Sequence, residues 1–459
     1  VSIADPHAAY AVRVDALRAQ YAAIPAGSPV RLAKKTSNLF RTRSETNTPG
    51  LDVRAFDGVL SVDPVARTAD VQGMTTYEHL VAATLPYDLM PLVVPQLKTI
   101  TLGGAVTGLG IESTSFRSGL PHESVLEMDV LTGDGRVVTA TPDNEHSDLL
   151  FGMPNSYGTL GYSLRLKIEL EPVRPYVHLT HVRFRSGQAA AQAISEIAAS
   201  GSWDGEPVDF CDGTAFSPDE IYLTLGRWSD EAPLGASDYT GMGVYYRSIA
   251  ERHTDVLRTH DYLWRWDTDW FWCSGAFGVQ NPRVRRLVPK RLLRSDTYWK
   301  LLRFESRHGW VAARDRRAGK PEIERVIQDV EVPVGRLAEF LEVFDREVGM
   351  RPVWLCPLRQ RDATTHWPLY EMDPDETYVN VGFWGTVPLA PGQDPDHHNR
   401  LVEREVERLG GRKSLYSTAF YSEAEFRRLY GGDAYDVLKK TYDPDGRLLD
   451  LYAKTVRNR

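Results

Sequence analysis

Cysteine is scarce in this chain. Three of 459 residues, Cys211, Cys273 and Cys356, lie far apart, are odd in number and form no CxxC pair. That excludes a disulfide framework and a zinc knuckle and points to a reduced, cytoplasmic setting. Long apolar runs are missing too. No stretch of about 18 uncharged apolar residues occurs, so no segment reads as a bilayer-spanning helix. The opening VSIADPHAAY lacks the basic, apolar and small-residue succession of a secretory signal. A basic excess is absent: the net charge of -8 excludes a general nucleic-acid binder. Repeats and low-complexity tracts are absent as well. So are the common phosphate motifs. No Walker loop occurs, and Gly108-Leu109-Gly110-Ile111-Glu112-Ser113 lacks the third glycine of the dinucleotide fingerprint.

What is present describes a globular protein of more than one domain. Apolar residues make up 42% of the chain, its mean hydropathy is -0.35, and its length exceeds what one ordinary core accommodates. Asp5 and Pro6 open an Ala-rich helix that ends near Ile24. DGVLSVDPVARTADVQ reads as two strands across an Asp-Pro turn, followed by a helix capped at Thr75 or Thr76. VLEMDVLTGDGRVVTATP is a hairpin about Gly133-Asp134-Gly135, and GYSLRLKIELEPV is a long alternating strand. Later segments, from HVRFRSGQAAAQAISEIAAS to TYVNVGFWGTVP, mix strands and helices, and the end is helical and charged. The expected fold class is α+β, divided into an N-terminal helix 1–24, a two-lobed domain 25–175, a second domain 176–400 and a helical segment 401–459 packing back on the first domain.

TLGGAVTGLGIES, from Thr101 to Ser113, holds four glycines and a single charge, Glu112. With Gly119, Thr107 and Ser115 it offers unobstructed N–H groups and hydroxyls. A backbone nest for phosphate and a set of tightly packed turns both fit that pattern.

The order of this stretch, then SVLEMDVLTGDGRVV, then SDLLFGMPNSYGTLGYSLRLKIEL, resembles the FAD-binding (PCMH-type) domain of the vanillyl-alcohol oxidase superfamily, from about Val30 to Val173. MPLVVPQLKTITLGGAVTGLGIESTSFRSGL looks most like the sterol Δ24-reductase branch and its bacterial lipid-reductase relatives, and YLWRWDTDWFWC and RPVWLCPLR extend the likeness. The resemblance implies a two-lobed FAD-binding domain with a substrate cap. Thr101, Leu102, Gly103, Gly104, Ala105, Val106, Thr107, Gly108, Leu109, Gly110, Ile111, Glu112 and Ser113 would wrap the pyrophosphate and ribityl chain, and Ser115, Arg117 and Gly119 would continue the wall. Gly158, Thr159, Leu160 and Gly161 would approach the flavin ring. Lys34, Lys35, Thr36, Ser37 and Asn38 stand where the superfamily often places a glycine-rich phosphate loop. RTRSETN has neither the His nor the Cys of covalent members, so noncovalent FAD is implied, with NADPH or NADH as donor.

Reducing a C=C bond takes a hydride, which a flavin supplies, and a proton. Glu112, Tyr378 and Tyr416 are the candidate proton sources; each also reads as structural, Glu112 by ordering its loop and the tyrosines as core residues with a satisfied hydroxyl. His397-His398 in DPDHH lack metal-ligand spacing and read as a structural loop, so no metal is expected. In WFWCSGAFGVQNPRVRRLVPKRLLR, the bases Arg283, Arg285, Arg286, Lys290, Arg291 and Arg294 alternate with apolar residues. An anionic membrane surface engaging 283–294, with acyl entry beside Trp270 and Trp272, suits that pattern, and so does a cap surface paired with the acidic remainder. The expected protein is a cytoplasmic enzyme, peripheral at the inner membrane face. Its expected reaction reduces a methylene-bearing fatty acyl chain to a methyl branch of the tuberculostearate type, downstream of a partner methyltransferase. The Ala- and Arg-rich composition reads as that of a high-GC bacterium, where sterol is uncommon. A Δ24-sterol reductase-like enzyme and a flavin oxidase of an alcohol or sugar using oxygen are the alternatives.

Overall fold

A computed structural model describes residues 5–34, 40–41, 50–308, 317–319 and 321–457. The first helix, Pro6–Ala22, starts where Asp5 accepts from the His7 N–H, an N-cap that satisfies one otherwise orphaned donor. It buries Tyr10, Leu17 and Tyr21 against a sheet ordered Val59–Asp63, Thr68–Gln72, Gly161–Pro172, Val125–Thr132, Val137–Ala140, antiparallel throughout. The long strand Gly161–Pro172 alternates as its sequence requires: Leu164, Leu166, Ile168 and Leu170 are buried and the residues between them are not. Arg165, on the opposite face, ties three strands together through Asp70, Glu127 and Asp129.

The second sheet has eight antiparallel strands. Their order is Thr254–Arg258, Tyr176–Phe184, Glu220–Ser229, Phe210–Ser217, Val353–Leu358, Tyr378–Pro388, Ile323–Pro333, Arg412–Lys413. Helices Gly187–Ser200, Leu337–Glu347 and His397–Arg408 cover one face. Leu337–Glu347 shows why: Leu337, Phe340, Leu341 and Phe344 recur at helical spacing and are all buried, each contributing about 2 kcal/mol. The other face turns its aromatic side chains toward the first lobe, in a core shared by both. The last helices return to that lobe. Gly133 N–H donates to the Tyr442 carbonyl at 2.7 Å and Val30 N–H to the Arg447 carbonyl at 2.8 Å.

Two local readings are corrected. The glycine-rich stretch is not an open loop: Leu102–Gly108 is a helix, capped by the Thr101 hydroxyl on Gly104 N–H at 3.2 Å and closed by Leu109 at φ 58°. Glycine is a poor helix former, but burial of Leu102, Ala105 and Val106 on one side overrides that preference. His397 and His398 open a helix and do not lie in a loop; Glu324 accepts from the backbone N–H groups of His398 and Asn399, satisfying its first donors.

Candidate active site

A cavity of about 720 Å³ lies between the glycine-rich helix and the second sheet, within the usual size range for small-molecule sites. Gly103, Gly104, Thr107, Gly108 and Gly110 form one wall, joined by Thr101, Ala105, Leu109 and Ile111. The glycines are required by close packing. A Cβ on Gly103 would stand 2.8 Å from the Gly73 carbonyl oxygen and 2.6 Å from Ser163 Oγ, and one on Gly110 would stand 2.9 Å from Pro95 Cγ. The N–H groups expected to form an anion nest are largely consumed. Leu102 donates to Thr75, Gly103 to Gly73 and Gly110 to Ala105, each within 3.0 Å.

Positive charge comes from elsewhere. Arg31, Lys34, Arg41, Arg447 and Lys454 line the cavity, against one acid, Asp329, among the described residues. In a chain of net charge -8, this is a local excess suited to a diphosphate. Lys35, Thr36, Ser37 and Asn38 lie outside the described residues. Gly158, at φ 74°, and Gly161 line the cavity, whereas Thr159 and Leu160 are buried behind them.

An aromatic wall completes the space. Phe40 stacks on Trp270 at 6.0 Å between ring centroids and meets Trp299 at 4.8 Å; Phe271 meets Trp384 at 4.4 Å. Trp270 and Phe271 are consecutive non-glycine residues at φ 46° and 58°, a conformation costing about 1–3 kcal/mol per residue that persists where packing imposes it. Trp272 packs behind this wall and does not reach the cavity.

Beside the aromatic wall sits Asp329. One carboxylate oxygen, Oδ1, is buried without a hydrogen-bond partner. Opposite it in register on the neighbouring strand is Gly382, where any Cβ would strike that oxygen and the Trp384 ring. Burial pushes the Asp329 carboxyl up to about 7, and burial with the nearby Asp329 pushes Glu331 up to about 8. The Tyr416 hydroxyl accepts from Trp384 Nε1 at 2.8 Å, and Tyr416 and Asp329 line the same cavity. Burial holds this phenol far above its ordinary range, so it keeps its proton.

Other expected residues stand outside this space. Glu112 is buried at the junction of the lobes, where Arg265 Nη2 bonds it at 2.7 Å and Asp212 at 2.8 Å. Burial, with Asp212 sharing that guanidinium, raises its carboxyl pKa. It does not line the cavity, so its expected contact with the reacting atoms is corrected to a junction contact. Ser113 bonds Tyr262, the Ser115 hydroxyl accepts from Glu112 N–H, and Arg117 pairs with Glu171. With Gly119, whose Cβ would collide with Glu123, they fasten the lobes and form no cavity wall, because their polar groups are already engaged. Leu102 and Val106 are core residues of their helix. Tyr378 accepts from Asp373 N–H at 3.2 Å and does not reach the cavity. Asp329 was overlooked in the sequence, although VIQDVEV carries a signal: Asp329 and Glu331 are two acids at a spacing of two in an apolar strand, hence on one face.

Residues 12–141 match the family model described as an FAD binding domain. The chain is 25% identical over 453 residues to the Delta(24)-sterol reductase of Arabidopsis thaliana, covering 89% of this chain and 77% of that protein. It is 27% identical over 434 residues to the Homo sapiens protein of the same name, covering 89% and 76%. A shorter match, 37% over 103 residues, covers 22% of this chain and 19% of cytokinin dehydrogenase 6 of Oryza sativa subsp. japonica. The comparisons support a PCMH-type FAD-binding domain and, along most of the chain, similarity to the sterol Δ24-reductase branch. The chain is an FAD-dependent oxidoreductase. The lining suits that cofactor: it includes five basic residues that would meet a diphosphate, and the described lining residues include no His or Cys for a covalent link.

Proposed function

We propose that the protein reduces an isolated carbon–carbon double bond in a lipid, with electrons from NADPH or NADH passing through noncovalent FAD. The substrate we favour is a methylene-bearing fatty acyl chain, converted to a methyl-branched one of the tuberculostearate type. A sterol side-chain double bond is the second reading, favoured by the near-full-length similarity to proteins named Delta(24)-sterol reductase. Both alkenes lack an adjacent carbonyl, so no neighbouring group polarises them, and protonation rests on the enzyme.

The observation that carries this reading is the buried Asp329 carboxyl, its Oδ1 without a hydrogen-bond partner among the described residues, lining the cavity together with Tyr416 and the aromatic wall. Arg31, Lys34, Arg41, Arg447 and Lys454 would hold the cofactor's phosphates, and the glycine wall would admit its ribityl chain. Bound FAD supplies hydride chemistry. The aromatic side chains exclude water and position the hydrocarbon. Tyr416 would place its proton toward one alkene carbon and be recharged from Asp329, so one hydride and one proton together saturate the bond.

Anaerobic titration tests the whole assignment. NADPH or NADH bleaches the flavin, and phospholipid with a methylene-bearing acyl chain then restores its colour and yields the methyl-branched product. Restoration by a sterol with a side-chain double bond, and not by the acyl lipid, moves the substrate to the second reading. Restoration by oxygen alone overturns the reductase assignment. Acid precipitation should release the yellow colour to the supernatant; colour kept in the pellet overturns noncovalent attachment.

A further inference from the structure

The basic stretch of the second domain divides sharply once folded. Arg285 is fully buried: it pairs with Asp269 at 2.7 Å and donates to the Gly241 and Gly243 carbonyls. The expectation that it faces lipid is therefore corrected; it anchors the turn from inside. Lys290 pairs with Asp238, Arg294 with Glu78 and Asp296, and Lys300 with Asp296. Arg283, Arg286 and Arg291 are exposed and have no carboxylate within ion-pair distance among the described residues. From residue 283 to 304 the chain carries eight basic residues and one acid, within a protein of net charge -8.

Apolar exposure concentrates in the same place. Of fifteen large apolar side chains exposed among the described residues, Val284, Leu287, Leu292, Leu301 and Leu302 fall within nineteen residues. Leu287 is 84% exposed, an arrangement that burial in a monomer does not explain. Met242, also exposed, lies in the loop whose carbonyls hold Arg285. The apolar residues sit on the helices Pro282–Arg285 and Ser295–His308 and on the turn between them. The second helix also bears Trp299, which touches Phe40 and Trp270 of the cavity wall at 4.8 and 5.9 Å between ring centroids.

We propose that this surface docks on an anionic lipid bilayer, with Arg283, Arg286 and Arg291 at the headgroups and Leu287, Leu292, Leu301 and Leu302 inserted among the upper acyl segments. Charge complementarity selects the occupant: unpaired cations ringed by protruding leucines match a surface negative at its plane and apolar beneath it. In an isologous dimer the patch would meet its own copy and set Arg283, Arg286 and Arg291 against the same three cations, a like-charge contact that an anionic bilayer does not impose. Trp299 sets the docked surface one ring away from the cavity wall, so a lipid substrate passes from the bilayer toward Phe40 and Trp270. The inference rests on the lipid-reductase reading for that last step alone.

Flotation of the flavin-loaded protein with vesicles of phosphatidylcholine, with and without phosphatidylglycerol, tests it. Binding should require phosphatidylglycerol and weaken with salt, since the Debye length is about 8 Å at physiological ionic strength. Replacing Arg283, Arg286 and Arg291 by Gln should lower the partition coefficient on the order of 100-fold at low salt. Leu287→Gln with Leu301→Gln should abolish the salt-resistant remainder. Both variants alter exposed positions, and flavin bleaching by the soluble donor should be unchanged in each. Failure of the parent protein to float, or equal flotation of the arginine variant at low salt, overturns the proposal. So does a parent dimer that Leu287→Gln converts to monomer, because a second copy then covers the patch. Flotation with no lipid turnover would refute the substrate reading and leave the docking surface standing.

Discussion

Two groups of buried carboxylates occupy the junction and the second sheet, and they are stabilised in opposite ways. Glu112 and Asp212 share one guanidinium, Arg265, and the Trp266 and Trp354 indoles also donate to Asp212 at 3.0 and 3.2 Å. Asp329 and Glu331 have no ion pair among the described residues; their neighbours are Tyr416, Tyr370 and Asn380. In the first group a cation offsets the charge, and the acids act as struts between lobes. In the second no cation offsets it among the described residues, and burial pushes the two carboxyls up to about 7 and about 8. The same residue types thus give rigidity in one place and a proton reserve in the other.

The largest effect should come from removing the cation. Arg265→Met leaves Glu112 and Asp212 buried together and should cost about 3–5 kcal/mol, read by urea denaturation. A loss below 1 kcal/mol, the range of an exposed pair, would show that the cluster is solvated and end the contrast.

Asp329→Asn should act with the opposite sign. In the folded protein this carboxyl titrates near 7, well above its ordinary value. Between the ordinary aspartate range and about 7 the unfolded chain loses a proton that the native one keeps, so native stability falls as pH rises through that window and then levels off. The variant should remove that fall, gaining on the order of 2 kcal/mol at pH 8 and little near pH 4. It should also erase the decline of lipid-driven flavin reoxidation above about pH 7. An unchanged pH–rate profile would take Asp329 out of the proton path.

Gly382→Ala tests the same oxygen sterically. The added Cβ must displace Asp329 Oδ1 or the Trp384 ring; the expected cost is about 1–2 kcal/mol, with flavin retained and turnover reduced. The smallest change should be Glu112→Gln, which leaves Arg265 paired with Asp212. About 1 kcal/mol of stability is expected to go, with no shift in the pH–rate profile. A shift there would exchange the roles assigned to the two groups.

Much of the fold was legible in the sequence because its signals are local. The Asp5 cap, the Thr76 cap and the hairpin about Gly133-Asp134-Gly135 fall where turn and capping residues demand. The glycine-rich stretch was misread as a loop because its helix depends on tertiary burial of Leu102, Ala105 and Val106. The site was less legible for the same reason. Gly104, Gly110 and Tyr416 do line the cavity, yet Glu112 is drawn to Arg265, which lies 153 residues away in the chain. No spacing rule reveals such a partner. Nor does composition separate buried Arg285 from exposed Arg286 one residue later.

The cavity is closed by chain that is synthesised far apart in time. Pro29 to Leu32 with Lys34, and Gly446 to Leu449 with Lys454, both line it, and the Val30–Arg447 hydrogen bond joins them. A ribosome-bound chain lacking the later segment has two of the five cations missing, so on the cofactor assignment proposed above cofactor capture would fall at the end of folding. Flavin loading would then work as a completeness check. A product truncated before Gly446 would emerge colourless, and yellow colour during purification reports an intact far end as much as a folded glycine wall.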